Sequence, residues 1–306
     1  FGYPVLNFNY PLPFYLGEII HLLGFDFVNS VKILFGASFI FSALGMYFLV
    51  AKELGKWPGL VAAVFYSYAP YRIFDIYRRG SLGEAVSFIF LPLIFLFLNQ
   101  LFSTYKIRYL SLAAFSYAAL ITSHNIFAFL FSPILFVYTA IKILDSACRP
   151  RALLYSFIFY LLSLSSSAFF WFPAIYDLQF TKAMSRQVSN FSNYFLGLNN
   201  FSEILGFLIP AVLICSIILM LSHKKYGLLF TLAFTLLSIF LTLPVSLPIW
   251  QATPLPKLVQ FPWRFISIAV FGSAILSGYL FSAIKKPFLC IVILIVIIFF
   301  SFPLIK

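Results

Sequence analysis

The chain has 306 residues, of which 63% are hydrophobic and only 9% are charged. Soluble domains contain roughly 45–50% apolar and about 25% charged residues, so a water-soluble core cannot bury this many apolar side chains. The composition predicts a membrane protein that crosses the bilayer several times. Its net charge of +12 does not indicate nucleic acid, because Lys and Arg in short loops orient membrane spans and contact anionic head groups.

The two ends of the sequence resemble interrupted segments. The chain opens with FGYPVLNFNY, which reads like the later part of a loop, and it ends with SFPLIK after an apolar run. We therefore expect a single transmembrane domain over residues 1–306 that is truncated at both ends. Residues 1–30 would form an outer loop with an interfacial helix, and the spans would occupy residues 31–304.

Apolar runs close to the length that crosses a bilayer as a helix, about 20 residues, follow one another along the chain. They are apolar on every side, whereas strands of a membrane barrel alternate, so helices are predicted. Residues 11–23 are too short and too polar for a span, and they favour a helix lying in the interface. We predict an all-α, polytopic transmembrane helical bundle with about ten spans after this interfacial helix. The ten ranges are 31–51, 57–70, 84–103, 107–122, 125–144, 152–172, 203–222, 226–243, 264–284 and 287–304.

Alternation of these spans sorts the loops into two sides of the membrane. One side carries short loops with pairs of basic residues, such as Lys52 with Lys56 and Lys106 with Arg108, and we assign it to the cytoplasm. The other side holds the longer loops and most of the carboxylates, so we expect any chemistry there. Its acidic residues are Glu18, Asp26, Asp75, Glu84, Asp177 and Glu203.

The stretch 69–84, APYRIFDIYRRGSLGE, places three arginines and two carboxylates between apolar segments. Ionisable groups at the edge of a bilayer are costly to desolvate unless they pair or face water, so the stretch is a functional-site hypothesis. The alternative is an ion-paired loop, since in a helix Asp75 would lie three or four residues from each arginine. The charged residues are Arg72, Asp75, Arg78, Arg79 and Glu84.

A site for a lipid-linked phosphate needs cations at head-group depth, because guanidinium groups fork onto phosphate oxygens. The aromatic side chains of Tyr77 and Trp263 either belong to an interfacial belt or stack on sugar rings. The candidate cations are Arg72, Arg78, Arg79 and Arg264.

Four polar residues allow more than one interpretation. His124, beside Asn125 at a helix turn, could act as a base or bind phosphate, or the two residues could simply cap helix ends. Asp75 and Glu84 could bind a divalent cation such as Mg²⁺ or Mn²⁺, or take a proton from an acceptor hydroxyl, unless the arginines neutralise them. No cofactor is certain, since the sequence has no Gly-rich phosphate loop, GxSxG or HExxH, and its three cysteines are scattered.

Five strings together carry a resemblance to known proteins. They are YPLPFYLGEIIHLLGF (10–25), KELGKWPGLVAAVFYSYAPYRIFDIYRRGSLGE (52–84), SHN (123–125), FFWFPAIYD (169–177) and QFPWRF (260–265). With them the chain resembles a bacterial and archaeal family of multi-spanning proteins labelled "6-pyruvoyl-tetrahydropterin synthase related". The family itself resembles a branch of the GT-C superfamily of integral-membrane glycosyltransferases. Nothing in the chain is similar to the soluble pterin enzyme or its zinc histidines.

The resemblance implies an outward-facing cavity in which a sugar moves from a polyprenyl-phosphate carrier to a glycan or lipid acceptor. The superfamily places a catalytic Asp or Glu in the first outer loop, which here would precede Phe1 and be missing. The implied catalytic residues are Asp75, Glu84 and His124. The implied residues for binding lipid phosphate or sugar are Arg72, Tyr77, Arg78, Arg79, Asn125, Trp263 and Arg264.

Two other functions remain open at the level of sequence. A transporter or flippase of lipid-linked saccharides would need the same arginines but no base, and an assembly subunit would use the polar loops to bind a partner. An Asp or Glu just before Phe1 would favour the transferase. In each case we expect a multi-pass protein of the plasma membrane of a bacterium or archaeon, in contact with membrane lipid and not with nucleic acid, with its active face outward.

Overall fold

The computed structural model describes residues 5–181, 191–197, 201–222, 226–284 and 288–301. Throughout these ranges the ordered elements are helices and no strand occurs, which confirms the predicted all-α class. In the first half they are α1 (Val5–Phe8), α2 (Leu12–Leu22), α3 (Phe27–Leu54), α4 (Lys56–Tyr68), α5 (Pro70–Ile73), α6 (Leu82–Thr104), α7 (Ile107–Ser123), α8 (Asn125–Leu144) and α9 (Arg149–Asp177). The second half contains α10 (Phe201–Ile204), α11 (Leu208–Ser222), α12 (Tyr226–Thr242), α13 (Leu247–Ala252), α14 (Leu255–Leu258), α15 (Ile266–Ile284) and α16 (Leu289–Ser301).

Each of the ten predicted ranges contains a helix, although the helices differ in length. Within the described residues, five helices are long and apolar enough to cross a membrane, or six if the bent pair Tyr226–Thr242 and Pro244–Ala252 is one span. The shorter apolar helices include α11 and α16, and the predicted range 203–222 is divided between α10 and α11. Residues 287 and 302–304 of the last predicted span lie outside the described part of the chain. The range 11–23, for which an interfacial helix is predicted, contains the helix α2.

Local sequence explains where several helices end. Ala69 is extended at ψ 136° because it precedes Pro70, and a residue before proline disfavours the helical conformation. Tyr105 ends α6 in the left-handed conformation. His124 is extended between α7 and α8, so the two helices are joined at a single residue.

The chain divides into two compact units, of which the first comprises residues 1–41 and 81–185. In this unit α7 packs against α6, α8 and α9, and α2 contacts α6 and α7. The packed face of α7 carries small side chains, among them Ala113, Ala114 and Ala118. Small residues let helix backbones approach closely, which is how helices associate where lipid removes the hydrophobic driving force.

The second unit comprises residues 42–80 and 186–306, and it is built around α15. This helix packs on α4, α11 and α12, while α16 packs on α4. Two glycines let α15 approach its neighbours closely: a Cβ on Gly272 would collide with Thr235 of α12, and one on Gly278 would lie 2.6 Å from Val50 Cγ1 of α3. The long helix α3 begins in the first unit and ends in the second.

Candidate functional site

The sequence-predicted site residues belong to the two units, and the group in each unit is described by itself. The first group lies where α5 continues into a five-residue π-helical turn, Phe74–Arg78. Such turns insert an extra residue into a helix and occur frequently at functional sites. No feature of the sequence had indicated this turn.

The π-helical turn directs Asp75 and Arg79 towards each other. Arg79 Nη1 donates to Asp75 Oδ1 at 2.5 Å, and the Asp75 side chain is buried. The Arg79 guanidinium also lies over the ring of Trp263, 4.3 Å from its centroid. Arg79 nevertheless keeps 21% of its side-chain surface exposed. The ion-paired alternative is therefore confirmed for Asp75 and Arg79.

Arg72 lies inside the second unit. Its Nη2 donates to Ser42 Oγ at 3.1 Å, and its guanidinium lies over the ring of Tyr66. Burial lowers the pKa of Arg72 to about 10, whereas nearby Tyr66 and Asp75 act in the opposite direction. The side chain therefore keeps its positive charge at neutral pH. We call Arg72, Asp75, Arg79 and Trp263 the arginine cluster.

Arg264 is held by its own loop. Its Nη1 donates to the backbone oxygen of Val259 at 2.9 Å and to Gln260 Oε1 at 3.1 Å. Gln260 has a positive φ of 70°, which is uncommon for a residue with a side chain. The loop therefore holds a strained backbone beside a buried cation.

Arg78 and Tyr77 differ from these residues because both are exposed. Tyr77 leaves 63% of its surface accessible. Arg72 and Arg264 are buried, and Arg79 is mostly covered, so Arg78 is the arginine of the predicted set that can reach a ligand without rearrangement.

The second group lies in the first unit, where α6 begins and α7 meets α8. Glu84 and His124 are both buried, and His124 Nε2 lies 3.7 Å from Glu84 Oε1. This distance is too long for a direct hydrogen bond but short enough for an ion pair if the imidazole is protonated. His124 Nδ1 accepts from the backbone N–H of Phe127 at 3.2 Å. The capping interpretation of His124 is thus confirmed, and its neutral form carries the ring proton on Nε2, facing Glu84.

Tyr10 covers this pair. Its ring centroid lies 4.8 Å from that of His124. Gly83 makes the approach possible, because a Cβ at Gly83 would collide with the Tyr10 ring and lie 2.8 Å from the backbone oxygen of Ser123. We call Tyr10, Gly83, Glu84 and His124 the Glu–His cluster. Asn125 is exposed, and its Oδ1 accepts from the backbone N–H of Ile126.

Two other polar residues also meet in the first unit. Asn7 Nδ2 donates to Asp177 Oδ2, which links the entry segment to the end of α9. The sequence had assigned both residues to the outer side without pairing them. Because they are 170 positions apart, only the fold could show the contact.

The predicted divalent cation does not fit these residues. Among the residues that the structure describes, no three His, Cys, Asp or Glu side chains gather where they could hold a metal ion. Asp75 is bonded to Arg79 and Glu84 faces His124, so neither carboxylate lies in a set of oxygen ligands such as Mg²⁺ requires.

Comparison with known proteins gives one family and one relative. The family described as "6-pyruvoyl-tetrahydropterin synthase related domain; membrane protein" matches residues 6–305. An "Uncharacterized protein" of Lactococcus lactis subsp. cremoris (strain MG1363) is 25% identical over 293 residues. The match covers 86% of this chain and 45% of that protein, so the chain spans about half the length of the relative.

Proposed function

The chain belongs to the membrane-protein family of 6-pyruvoyl-tetrahydropterin synthase related domains, and from this premise we propose that it transfers a sugar from a polyprenyl-phosphate carrier to a cell-surface glycan or lipid acceptor. The proposal includes a GT-C-like arrangement of about ten spans in the plasma membrane, with the active face outward. The observation that carries it is the exposed Arg78 beside the arginine cluster, at the edge of apolar helices.

The charge balance of this segment favours an anionic ligand. Arg72, Arg78 and Arg79 bring three positive charges to one short segment, and Asp75 is the carboxylate within it. Asp75 fixes Arg79 in place, and Trp263 packs on its guanidinium. A phosphate at Arg78 would be bound by a charge-assisted hydrogen bond. It would also be attracted electrostatically by the guanidinium of Arg79.

The reaction would be a displacement at the anomeric carbon of the sugar. The acceptor hydroxyl oxygen bonds to that carbon, and the bond from the carbon to the carrier phosphate oxygen breaks. The electron pair leaves with the polyprenyl phosphate, whose charge the arginines stabilise. The hydroxyl proton passes to a carboxylate. In the first unit, Glu84 is the carboxylate that we assign as the candidate base.

His124 fits a supporting position better than that of the base. Its Nδ1 lone pair already accepts the Phe127 N–H, and its Nε2 faces Glu84. An imidazole with its basic nitrogen occupied orients and stabilises a neighbouring carboxylate. We therefore propose that His124 positions Glu84.

A complementation experiment tests the proposal. In a strain lacking the protein, we expect surface glycan to fall and polyprenyl-phosphate-linked sugar to accumulate on the outer leaflet, where an impermeant glycosidase reaches it. The full-length wild type and the Arg108→Gln control should restore the glycan, whereas Arg78→Gln should not. Arg108 is a matched control because it is also exposed and lies on the side assigned to the cytoplasm.

Three outcomes would contradict the proposal in whole or in part. Unchanged transfer by Arg78→Gln would remove the phosphate-binding assignment. Accumulation of the lipid-linked sugar where the impermeant enzyme cannot reach it would instead indicate a flippase. An intact glycan profile in the strain that lacks the protein would favour an assembly subunit.

A further inference from the structure

An apolar groove lies between four helices of the second unit. It has a volume of about 530 Å³, and its lining comes from α4, α11, α15 and α16. The volume falls within the range of about 300–1,000 Å³ that small-molecule and cofactor sites occupy. Its floor is formed by buried side chains, including Val61 and Phe65 of α4 and Phe281 of α15.

The groove follows α11 along its whole length. The residues of α11 that line it repeat at helical spacing and run from Leu208, the first residue of the helix, to Ser222, the last. At 1.5 Å per residue this stripe is about 21 Å long, a large part of the roughly 30 Å hydrocarbon core of a bilayer. The intermediate members of the stripe are Val212, Cys215, Ile218 and Leu219.

The lining of the groove suits a hydrocarbon chain. It is almost wholly apolar over a length of about 21 Å, so an extended chain can lie along it with its carbons at about 3.5–4.0 Å from the lining side chains. The charge at one end of the groove then indicates which lipid it would take.

One end of the groove adjoins the arginine-rich segment. α11 starts just after Gly206, which has a positive φ of 70° and packs on the ring of Pro70. A Cβ at Gly206 would lie 2.5 Å from Pro70 Cγ, so this close contact requires a glycine. Pro70 begins the segment that leads through α5 to Arg78. A chain lying in the groove would therefore have its head group at the end where the arginines are.

We propose that this groove binds the single hydrocarbon chain of the polyprenyl-phosphate carrier, with the phosphate at the α5 end. The inference rests on the proposed function and identifies the part of the protein that recognises the lipid. The proposal also explains why the lining is apolar. Within a membrane, a helix bundle binds a lipid chain through shape and packing and not through exclusion of water.

Photo-crosslinking tests the groove directly. The full-length protein in nanodiscs is exposed to a long polyprenyl phosphate with a diazirine at its chain terminus, and the labelled peptides are identified by mass spectrometry. We expect label on α11 and α16. Replacing Cys215, which is exposed in the groove, by Trp should reduce labelling at least about tenfold, since displacing only two buried methylene groups costs about that factor.

Ile214→Trp is the matched control. Ile214 is the preceding residue of the same helix and is 60% exposed, but it does not line the groove. Labelling should stay at the wild-type level in this variant. Equal labelling in Cys215→Trp and Ile214→Trp would overturn the proposal.

A competition measurement on the wild type keeps the test valid if Cys215→Trp does not fold. Unlabelled polyprenyl phosphate should displace the probe, whereas dioleoyl phosphatidic acid, which offers the same phosphate on two chains, should not. Equal displacement by the two lipids would show that the groove holds ordinary membrane lipid and would refute the assignment.

Sugar transfer measured in the same variants separates this inference from the proposed function. Labelling in the groove without any transfer by the wild type would contradict the transferase and leave the lipid site standing. Wild-type transfer by a Cys215→Trp variant that is still labelled would contradict the groove and leave the transferase standing.

Discussion

The arginine cluster and the Glu–His cluster each place a buried carboxylate beside a basic side chain, but they differ in charge balance and in exposure. The arginine cluster is assembled mainly from one short segment, carries excess positive charge and has exposed neighbours in Tyr77 and Arg78. The Glu–His cluster joins residues 40 positions apart, pairs one acid with one imidazole and is buried under Tyr10. The first arrangement suits binding of an external anion, whereas the second suits holding a proton in a fixed position.

The largest effect should follow the loss of Asp75. Asp75→Ala removes the buried partner of Arg79 and leaves the buried charge of Arg72 less compensated, so we expect a loss of about 3–5 kcal/mol in the free energy of unfolding. Asp75→Asn keeps an acceptor for Arg79 and should lose less. Thermal unfolding in detergent measures both variants. If the two variants unfold at the wild-type temperature, the arginine cluster does not depend on this carboxylate.

The close packing of the Glu–His cluster predicts the next effect. Gly83→Ala forces a methyl group against the Tyr10 ring and the backbone oxygen of Ser123, which cannot move easily. Overpacking of this kind costs about 1–3 kcal/mol. Gly36→Ala is the control, because Gly36 is also helical and has nothing within 4 Å, so it should be neutral or slightly stabilising. Equal stability of the two variants in the thermal measurement would mean that Tyr10 does not cover the cluster tightly.

A smaller effect is expected at the junction of α7 and α8. His124→Ala removes the acceptor of the Phe127 N–H, and loss of such a cap costs about 1 kcal/mol. His124→Asn keeps a good capping side chain and should recover most of that stability. If His124→Asn also loses sugar transfer while remaining folded, the imidazole acts on Glu84 as proposed. Full transfer by that variant would limit His124 to capping.

The smallest effect on stability should be that of Arg78→Gln. Arg78 is exposed, and substitutions at such positions usually change the free energy of unfolding by no more than about 0.5 kcal/mol. The same variant is expected to lose glycan transfer, so it separates ligand binding from folding. A large fall in unfolding temperature would place Arg78 among the structural members of the arginine cluster.

The sequence predicted the local features of the fold well. Apolar runs placed a helix in every expected range, and the four-residue spacing of Asp75 and Arg79 made their ion pair one of two interpretations, which the structure shows. Capping by His124 followed from its position between two such runs. These predictions succeeded because each depends on neighbours within about one helical turn.

Features that depend on distant residues could not be predicted in this way. The pattern of apolar residues does not show which loops and helix ends lie next to each other. The contacts of Glu84 with His124 and of Asn7 with Asp177 are therefore seen only in the structure. Burial of Arg72 was also missed, because its acceptor Ser42 comes from another helix. The apolar runs predicted where the helices lie, but not how long each helix is. Within the described residues only five or six helices are long and apolar enough to cross a membrane, compared with the ten predicted spans.

The five-residue turn Phe74–Arg78 contains one residue more than an ordinary helical turn. Deletion of one residue, for example Ile76, would let the backbone return to ordinary α-helical bonding, and the residues beyond it would keep their direction around the helix axis. Arg79 would then follow Asp75 at a spacing of three residues, at which side chains on one helix still meet. Across evolution, the loss of one residue within this turn should therefore be tolerated as long as the carboxylate and the arginine are kept.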